Sequence, residues 1–495
     1  MHDGHDDAIA VVEATGQYSY GALRHAVALR SAQLAELHLS KGSPVAILGP
    51  NSFNWIAAYL ATLAAGLVAV PVPDTQTAAE IRARLDWVQA GAAFLGLREL
   101  RRLDGHLGTA VALTPDGPDQ DTDAAYPTYA PASPDDDAVY AFTSGTTGRP
   151  RVVRHTHGNL QANTTSILEY LRLTSTERVL VVLPLSYVFG ASLLHTHLRV
   201  GATLVLQPNA VFPQSLVDRM SAERCTGLAG VPSTFHVLLR SSTFKRRPLP
   251  DLRIIQQAGG SLAPPLISEL IAAQPQARLF VMYGQTEATA RLSYLPPENL
   301  EDKLGSIGRG IAGVTLRVTD PNGDPVRVGE VGEIRARGPN ISPGYLNDPE
   351  ETARKMPDGE LRTGDLATID ADGYIYLAGR LEDFIKSWGY RISSQDVESA
   401  AIQLVDLVAV AAVGVPDEAA GERVELVAVK RPGAPVTVDD VLRHCVANLA
   451  KHMVPARVHF VPELPLNTNG KVSKAAVREL CLRLGDDAGQ LGGTS

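Results

Sequence analysis

The segment Tyr140–Val153, YAFTSGTTGRPRVV, carries hydroxyls, glycines and arginines in an order suited to holding phosphate. Thr143, Ser144, Thr146 and Thr147 alternate with Gly145 and Gly148, and Arg149 and Arg151 follow. A loop of small residues lets backbone N–H groups and hydroxyls approach phosphate oxygens, and a nearby cation neutralises their charge. This is not a Walker A loop: G-x-x-x-x-G-K-[ST] needs Gly at position 150, where Pro150 stands. A plain surface loop has the same composition, but this string directly follows an apolar strand pattern.

Five more segments offer chemistry that fits a nucleotide. Tyr283-Gly284-Gln285-Thr286-Glu287 closes the apolar run LFVM. It delivers a ring to stack on a base, a hydroxyl for phosphate and a carboxylate for Mg2+. In Arg362–Leu366, Asp365 is suited to accept hydrogen bonds from a ribose diol, and in Gly379–Lys386, Arg380 can add a charge-assisted bond. Gly389-Tyr390-Arg391-Ile392 follows. Near the end, Pro465–Lys471 presents Lys471 from a Gly turn. Each of these alone is also what an ordinary turn or a solvated surface looks like. A formal GxGxxG, Gly308, Gly310 and Gly313, is rejected as a dinucleotide site, because the strand-like VTLRV follows it where a helix is required.

The elements that must position these segments form three textures. Apolar runs ending in Gly, Pro or Ser, such as Val45–Gly49, Val179–Pro184, Thr203–Pro208, Leu228–Pro232, Ile254–Gly260 and Leu279–Gly284, alternate with helical patterns. Leu23, Val27, Leu34 and Leu37 share one helical face, and Phe53–Ala65 predicts an apolar helix. Buried strands alternating with helices imply an α/β fold with a largely parallel sheet, whose ligands bind at the strands' carboxyl ends. Residues 114–137, rich in Pro and Asp, predict an exposed loop. From Gly305 to Leu377 the pattern becomes β-rich, with runs Val314–Val318, Gly332–Arg337 and Tyr374–Leu377. Beyond about Arg380 a charged segment, a helix and β-prone runs Val408–Val415, Val424–Lys430 and Arg457–Val461 predict a separate small α+β domain. The expected division is 1–380 for a multi-subdomain body, 381–484 for the small domain and 485–495 for a disordered tail.

Composition bounds the rest. In 495 residues, Lys plus Arg total 45 and Asp plus Glu 54, a net charge of −9, which argues against a nucleic-acid partner. Hydrophobic residues at 45% and charged residues at 20% exclude a mainly disordered or coiled-coil chain. Cys225, Cys445 and Cys481 are too few and scattered for a disulfide framework or a zinc site. The start, MHDGHDDAIA, has no signal-peptide pattern, and no run is long enough to span a membrane, so a cytoplasmic protein is expected.

In order and spacing, these segments resemble the adenylate-forming superfamily of acyl-CoA synthetases, nonribosomal peptide adenylation domains and luciferases. The resemblance runs from about Val45 to Lys471. It implies a large body, a small C-terminal domain on a hinge, and two half-reactions. A carboxylate attacks the α-phosphate of ATP to give acyl-AMP and pyrophosphate; the small domain rotates, and a nucleophile then displaces AMP. It further implies that Thr143–Gly148 holds the β and γ phosphates, with Arg151 beside them. Gly260, Ser261, Tyr283 and Gly284 would line AMP, and Asp365 and Arg380 would hold the ribose. Thr286 would contact phosphate, Glu287 the Mg2+, and Lys471 would stabilise the adenylation transition state. Glu382 would be the hinge, and Lys386 and Gly389 would serve the thiolation state. The sequence departs from the pattern at Arg151 and Val152, where Lys and Gly are usual, at Glu382 for the commoner Asp, and at Asp396 for Glu.

The resemblance places Tyr187, Val188, Phe189, Gly259 and Gly284 around the acyl group. Relatives that activate amino acids carry an Asp at the position of Val188 to pair the ammonium; Val188 cannot, so an α-amino acid is disfavoured and an apolar acyl or aryl acid is expected. The implied acceptor is the pantetheine thiol of CoA or of a free-standing carrier protein, since nothing after Lys471 is long enough to be a fused carrier. Two alternatives stand beside this thioester-forming ligase. One is an amide synthetase that transfers the acyl group to an amine. The other is a catalytically weakened, adenylate-binding regulatory protein.

Overall fold

The computed structural model describes residues 6–114, 132–143, 151–207, 212–380, 384–466 and 472–490. Apolar β-branched runs pair into two large sheets. One has nine strands in the spatial order Arg309–Gly310, Ser293–Leu295, Arg278–Tyr283, Ile254–Gln257, Gly227–Gly230, Arg178–Val181, Thr203–Leu206, Ile9–Val12, Gln17–Ser19. Its six middle strands, from Arg278–Tyr283 to Ile9–Val12, are parallel, and only the edge pairs are antiparallel. The other has six strands, in the order Val111–Leu113, Ala92–Phe94, Pro44–Leu48, Val68–Val72, Asp137–Thr143, Arg151–Thr156. The helices Tyr20–Glu36, Phe53–Ala64, His157–Leu171 and Val188–Val200 pack between them, and the largest apolar core draws on both sheets, from Val45 and Ile47 to Val179 and Leu204. The α/β reading of the sequence holds, because strands buried on both faces are continuous apolar runs.

Helix starts are set locally. Ser52 accepts from the Trp55 N–H at the head of Phe53–Ala64, and Thr156 and Asn159 form a reciprocal capping box at the head of His157–Leu171. A third, antiparallel sheet comprises Thr315–Thr319, Gly332–Arg337, Leu361–Ile369 and Ile375–Arg380. Its second pair of strands contains a register shift, and the last pair sets Asp365 opposite Arg380.

After residue 383 the chain builds its own sheet, Tyr390–Ser393, Phe384–Ser387, Gly421–Lys430 and Leu407–Asp417, with Arg457–Val461 parallel to Gly421–Lys430. Its apolar clusters, around Ile385, Val397 and Leu426 on one face and Val413, Val427 and Val477 on the other, are separate from those of the body. The expected boundary at 380/381 abuts residues 381–383, which lie outside the described residues, as do 115–131 of the expected loop. The last helix runs Lys474–Gln490. Once a helix is nucleated, each added residue gains a hydrogen bond, so one Gly at 485 does not end it.

Glu425 is fully buried on the strand Gly421–Lys430, with Cys481 and His459 beside it. The three could ligate a metal by proximity, but Arg423 Nε lies 2.6 Å from one Glu425 oxygen and His459 Nε2 2.8 Å from the other. Burial pushes the Glu425 carboxyl up, yet the bonds from His459 and Arg423 outweigh it and hold the group below its ordinary range. Burial also pushes the Cys481 thiol up to about 12, so it is no ready thiolate ligand. Glu425 thus ties Arg423 and His459 together within the sheet, with the neutral Cys481 of the final helix beside it. Glu425→Ala should destabilise the chain by about 1–3 kcal/mol, by removing the acceptor of the His459 and Arg423 bonds and leaving Arg423 only its 3.6 Å contact with Asp417; a lowered urea midpoint measures it, and an unchanged midpoint would refute the role.

Candidate active site

Tyr283 ends the strand Arg278–Tyr283, so its ring stands at the carboxyl edge of the nine-stranded sheet. Its hydroxyl donates to Asp365 Oδ2 at 2.5 Å, and Arg380 Nε donates to Asp365 Oδ1 at 2.9 Å. Burial, with Asp365 next, raises the Tyr283 hydroxyl far above its ordinary range, so it remains a donor. Asp365 is buried while most of the Arg380 side chain is exposed, which leaves the pair open on the arginine side. Two sheets thus meet at one carboxylate, which the Asp365–Arg380 register and the Thr363 hydroxyl bond to the Asp365 N–H, 3.1 Å, hold in place.

Gly284 must be glycine: a Cβ there would lie 2.0 Å from the Ala290 carbonyl oxygen and 2.9 Å from the Arg291 Cα. The intervening chain makes the short helix Thr286–Ala288 and then turns at Thr289, whose φ of 65° is strained for a β-branched residue. Thr289 is held there by its hydroxyl bond to the Asn340 carbonyl, 2.7 Å. The Thr286 carbonyl accepts from His155 Nε2 at 2.7 Å. Glu287 accepts from the Tyr345 hydroxyl at 2.8 Å through Oε1. Its Oε2 has no hydrogen-bond partner among the described residues, so the carboxylate fits a role as a cation ligand.

Arg151 does not stand free. It pairs with Glu351 at 3.2 Å and Asp348 at 3.8 Å, with its guanidinium 5.9 Å from the Tyr345 ring centre. Phosphate would have to compete with those carboxylates. Thr143 ends the strand Asp137–Thr143. Ser144, Gly145, Thr146, Thr147, Gly148, Glu382 and Lys471 lie outside the described residues. Gly260 and Ser261 are exposed and Gly259 half-buried on the loop after Ile254–Gln257, where Gln257 Nε2 donates to the Gly260 carbonyl at 2.8 Å. Lys386 and Gly389 lie apart, on the hairpin of the small domain. There Trp388 and Gly389 both have positive φ, 53° and 77°, which a tight two-residue turn requires.

Tyr187 caps the helix Val188–Val200. Val188 lines a cavity of about 20 Å3, room for roughly one water, with His155, His195, Asn163 and Ala290. Its walls include no carboxylate among the described residues. Burial pushes His155 and His195 down to about 4, and His197 and His236 likewise. All four are neutral in the folded chain at neutral pH, while unfolded imidazoles titrate near 6.5. Stability is therefore complete above about pH 6.5 and falls as pH drops toward 4. At pH 5, unfolding should take up at least about three protons, read from the pH slope of the urea stability. His155→Gln should remove about one of them, and uptake below one proton would refute the buried-neutral assignment.

His155, Tyr345, Asn340 and Arg291 escape sequence reasoning. His155 and Tyr345 contact the Tyr283–Glu287 segment from 131 and 58 residues away. Arg291 lies four residues past Glu287, but nothing in its sequence setting marks it out. The rejected GxGxxG indeed leads into the strand Thr315–Thr319 rather than a helix.

Residues 2–346 match the AMP-binding enzyme family, and residues 396–471 match the AMP-binding enzyme C-terminal domain. A feruloyl-CoA synthase from Amycolatopsis sp is 32% identical over 480 residues, covering 95% of each chain. The ATP-bound structure of MatB from Rhodopseudomonas palustris superposes with a TM-score of 0.87 at 29% identity, covering 97% of each chain. The amide bond synthetase McbA from Marinactinospora thermotolerans gives a TM-score of 0.85 at 28% identity, over 97% of this chain and 98% of that one. No helix among the described residues is long and apolar enough to cross a membrane.

Proposed function

Because the chain belongs to the AMP-binding enzyme family, we propose that it activates a carboxylic acid with ATP, giving acyl-AMP and pyrophosphate, and then transfers the acyl group to a pantetheine thiol. The observation that carries this reading is the buried Asp365, held between Tyr283 and Arg380 at the edge of the parallel sheet. A ribose diol can donate to that carboxylate, and the base can lie against Tyr283. Thr286 meets phosphate, and Glu287 is the ligand for Mg2+, which would neutralise phosphate charge when bound. The loop Thr143–Gly148 wraps the outer phosphates. Residues 381–484 act as the lid that carries Lys471, with Glu382 as its hinge and Lys386 and Gly389 serving the second half-reaction. The reaction is proposed to run in the cytoplasm, where ATP and CoA are supplied.

The acid is not an α-amino acid in this reading. The cavity beside Val188 offers neutral histidines and no carboxylate among the described residues, so an ammonium would be buried unpaired. CoA is the first choice of acceptor, following the feruloyl-CoA synthase; a carrier protein presents the same thiol. The likeness to McbA favours a second reading, transfer to an amine.

Acid-dependent exchange of pyrophosphate into ATP tests the first step. Exchange with at least one non-amino acid is expected, and none with any acid would overturn both enzyme readings in favour of a regulatory adenylate binder. Product masses after adding CoA, a pantetheinylated carrier or simple amines then separate thioester from amide formation.

A further inference from the structure

Among the described residues with under 2% of their surface exposed, Arg291 is the largest, at 1%. Its carbonyl is pinned by Asn163 at 3.0 Å and Asn340 at 2.8 Å, so the side chain's origin is fixed. The guanidinium lies 4.8 Å from the Phe189 ring centre, and Nε donates to the Tyr170 hydroxyl at 3.1 Å. That hydroxyl faces Met282 Sδ at 3.2 Å, and burial raises its pKa, so it is no anion. Nη2 is buried with no hydrogen-bond partner, and no carboxylate pairs with Arg291 among the described residues.

That arrangement is costly unless something completes it. A guanidinium stays charged even when buried, and an uncompensated buried charge is strongly destabilising. The Phe189 contact and the single neutral hydrogen bond offset only part of that cost. A Leu or Met would fill the space without that cost. The missing counter-charge fits a ligand, because Arg291 borders the acyl region. It abuts Gly284 and lies over Phe189, and its neighbour Ala290 shares a cavity wall with Val188.

We propose that Arg291 binds a second anionic group, a carboxylate or a sulfonate, at the far end of the acid that is adenylated. This rests on the adenylating reading above and narrows its substrate class to an acid with an apolar or aryl body and a charged terminus. The body packs on Phe189 and Val188, and the guanidinium fork engages two oxygens of the terminus. With a net charge of −9, the protein's overall field opposes a dianion, so only a local, desolvated cation can select one.

The test uses paired acids of equal length and body, one ending in methyl, one in carboxylate and one in sulfonate. Each is assayed by pyrophosphate exchange and by calorimetric binding to the full chain, wild type and Arg291→Met, with Arg291→Lys as the conservative variant. Wild type should favour one anionic member over its methyl partner by about 100-fold in kcat/KM, as expected for a buried charge-assisted pair. The carboxylate and sulfonate arms identify which anion it is. Arg291→Met should abolish that preference with the KM for ATP unchanged, and Arg291→Lys should restore part of it. Equal or better use of the methyl acid by wild type overturns the proposal without needing a folded variant. So does a preference that survives in Arg291→Met. If no acid supports exchange but the anionic acids still bind wild type selectively, the ligase reading fails and the anion site stands. Absence of selective binding as well removes both.

Discussion

Lys471→Ala is expected to abolish adenylation while leaving the second half-reaction largely intact. The reasoning is electrostatic. Attack on the α-phosphate gathers negative charge on its oxygens and on the departing pyrophosphate, and a compact ammonium stabilises that charge only as it develops. Removing one such preorganised donor costs about 100- to 1000-fold in rate. Lys471→Arg should recover little, because a planar fork does not reproduce a point charge on a flexible stem. In the proposed cycle the lid that carries Lys471 rotates before the thiol attacks, and the Gly389 hairpin takes its place. Preformed acyl-AMP plus CoA should therefore be converted by the variant at close to the wild-type rate, because a step in which the lid has turned away does not feel the change. Pyrophosphate exchange measures the first step, and thioester formation from synthetic acyl-AMP the second. Equal losses in both would remove Lys471 from its assigned role.

Much of this site was legible from residue types, and the particular failures have physical causes. Tyr283, Asp365 and Arg380 lie in three separate sequence segments, each with the group that a nucleotide needs, and the fold brings them to one carboxylate. The strands beneath them read clearly because both of their faces are buried. The strand Leu361–Ile369 is harder to read, since Gly364 at φ 77° and polar Arg362, Thr363 and Asp365 interrupt its alternation. Arg291 was illegible for another reason: a lone arginine looks like surface, and only its burial against Phe189 shows otherwise. His155 supports Thr286 from a different sheet, a contact that no local period encodes.

Asp365→Ala should lower kcat/KM for ATP by about 100-fold, which corresponds to losing a buried charge-assisted acceptor worth about 3 kcal/mol. The KM for the acid should stay within about threefold, because in the proposed site Asp365 meets the nucleotide rather than the acyl group. Asp365→Asn should lose less, about tenfold, since the amide keeps one acceptor but turns a donor toward either Tyr283 or Arg380. Stability shows what the carboxylate does for the protein itself. The Tyr283 hydroxyl is buried, so losing its acceptor should cost about 1–3 kcal/mol, whereas the exposed Arg380 returns to water at little cost. Tyr283→Phe separates the two roles. If Asp365 served only to satisfy that hydroxyl, Tyr283→Phe combined with Asp365→Ala would restore both stability and ATP use. A direct ribose contact predicts that the double variant recovers stability alone, with ATP affinity still about 100-fold down. Recovery of both would show the carboxylate to be a structural acceptor, and the ribose would then need another partner.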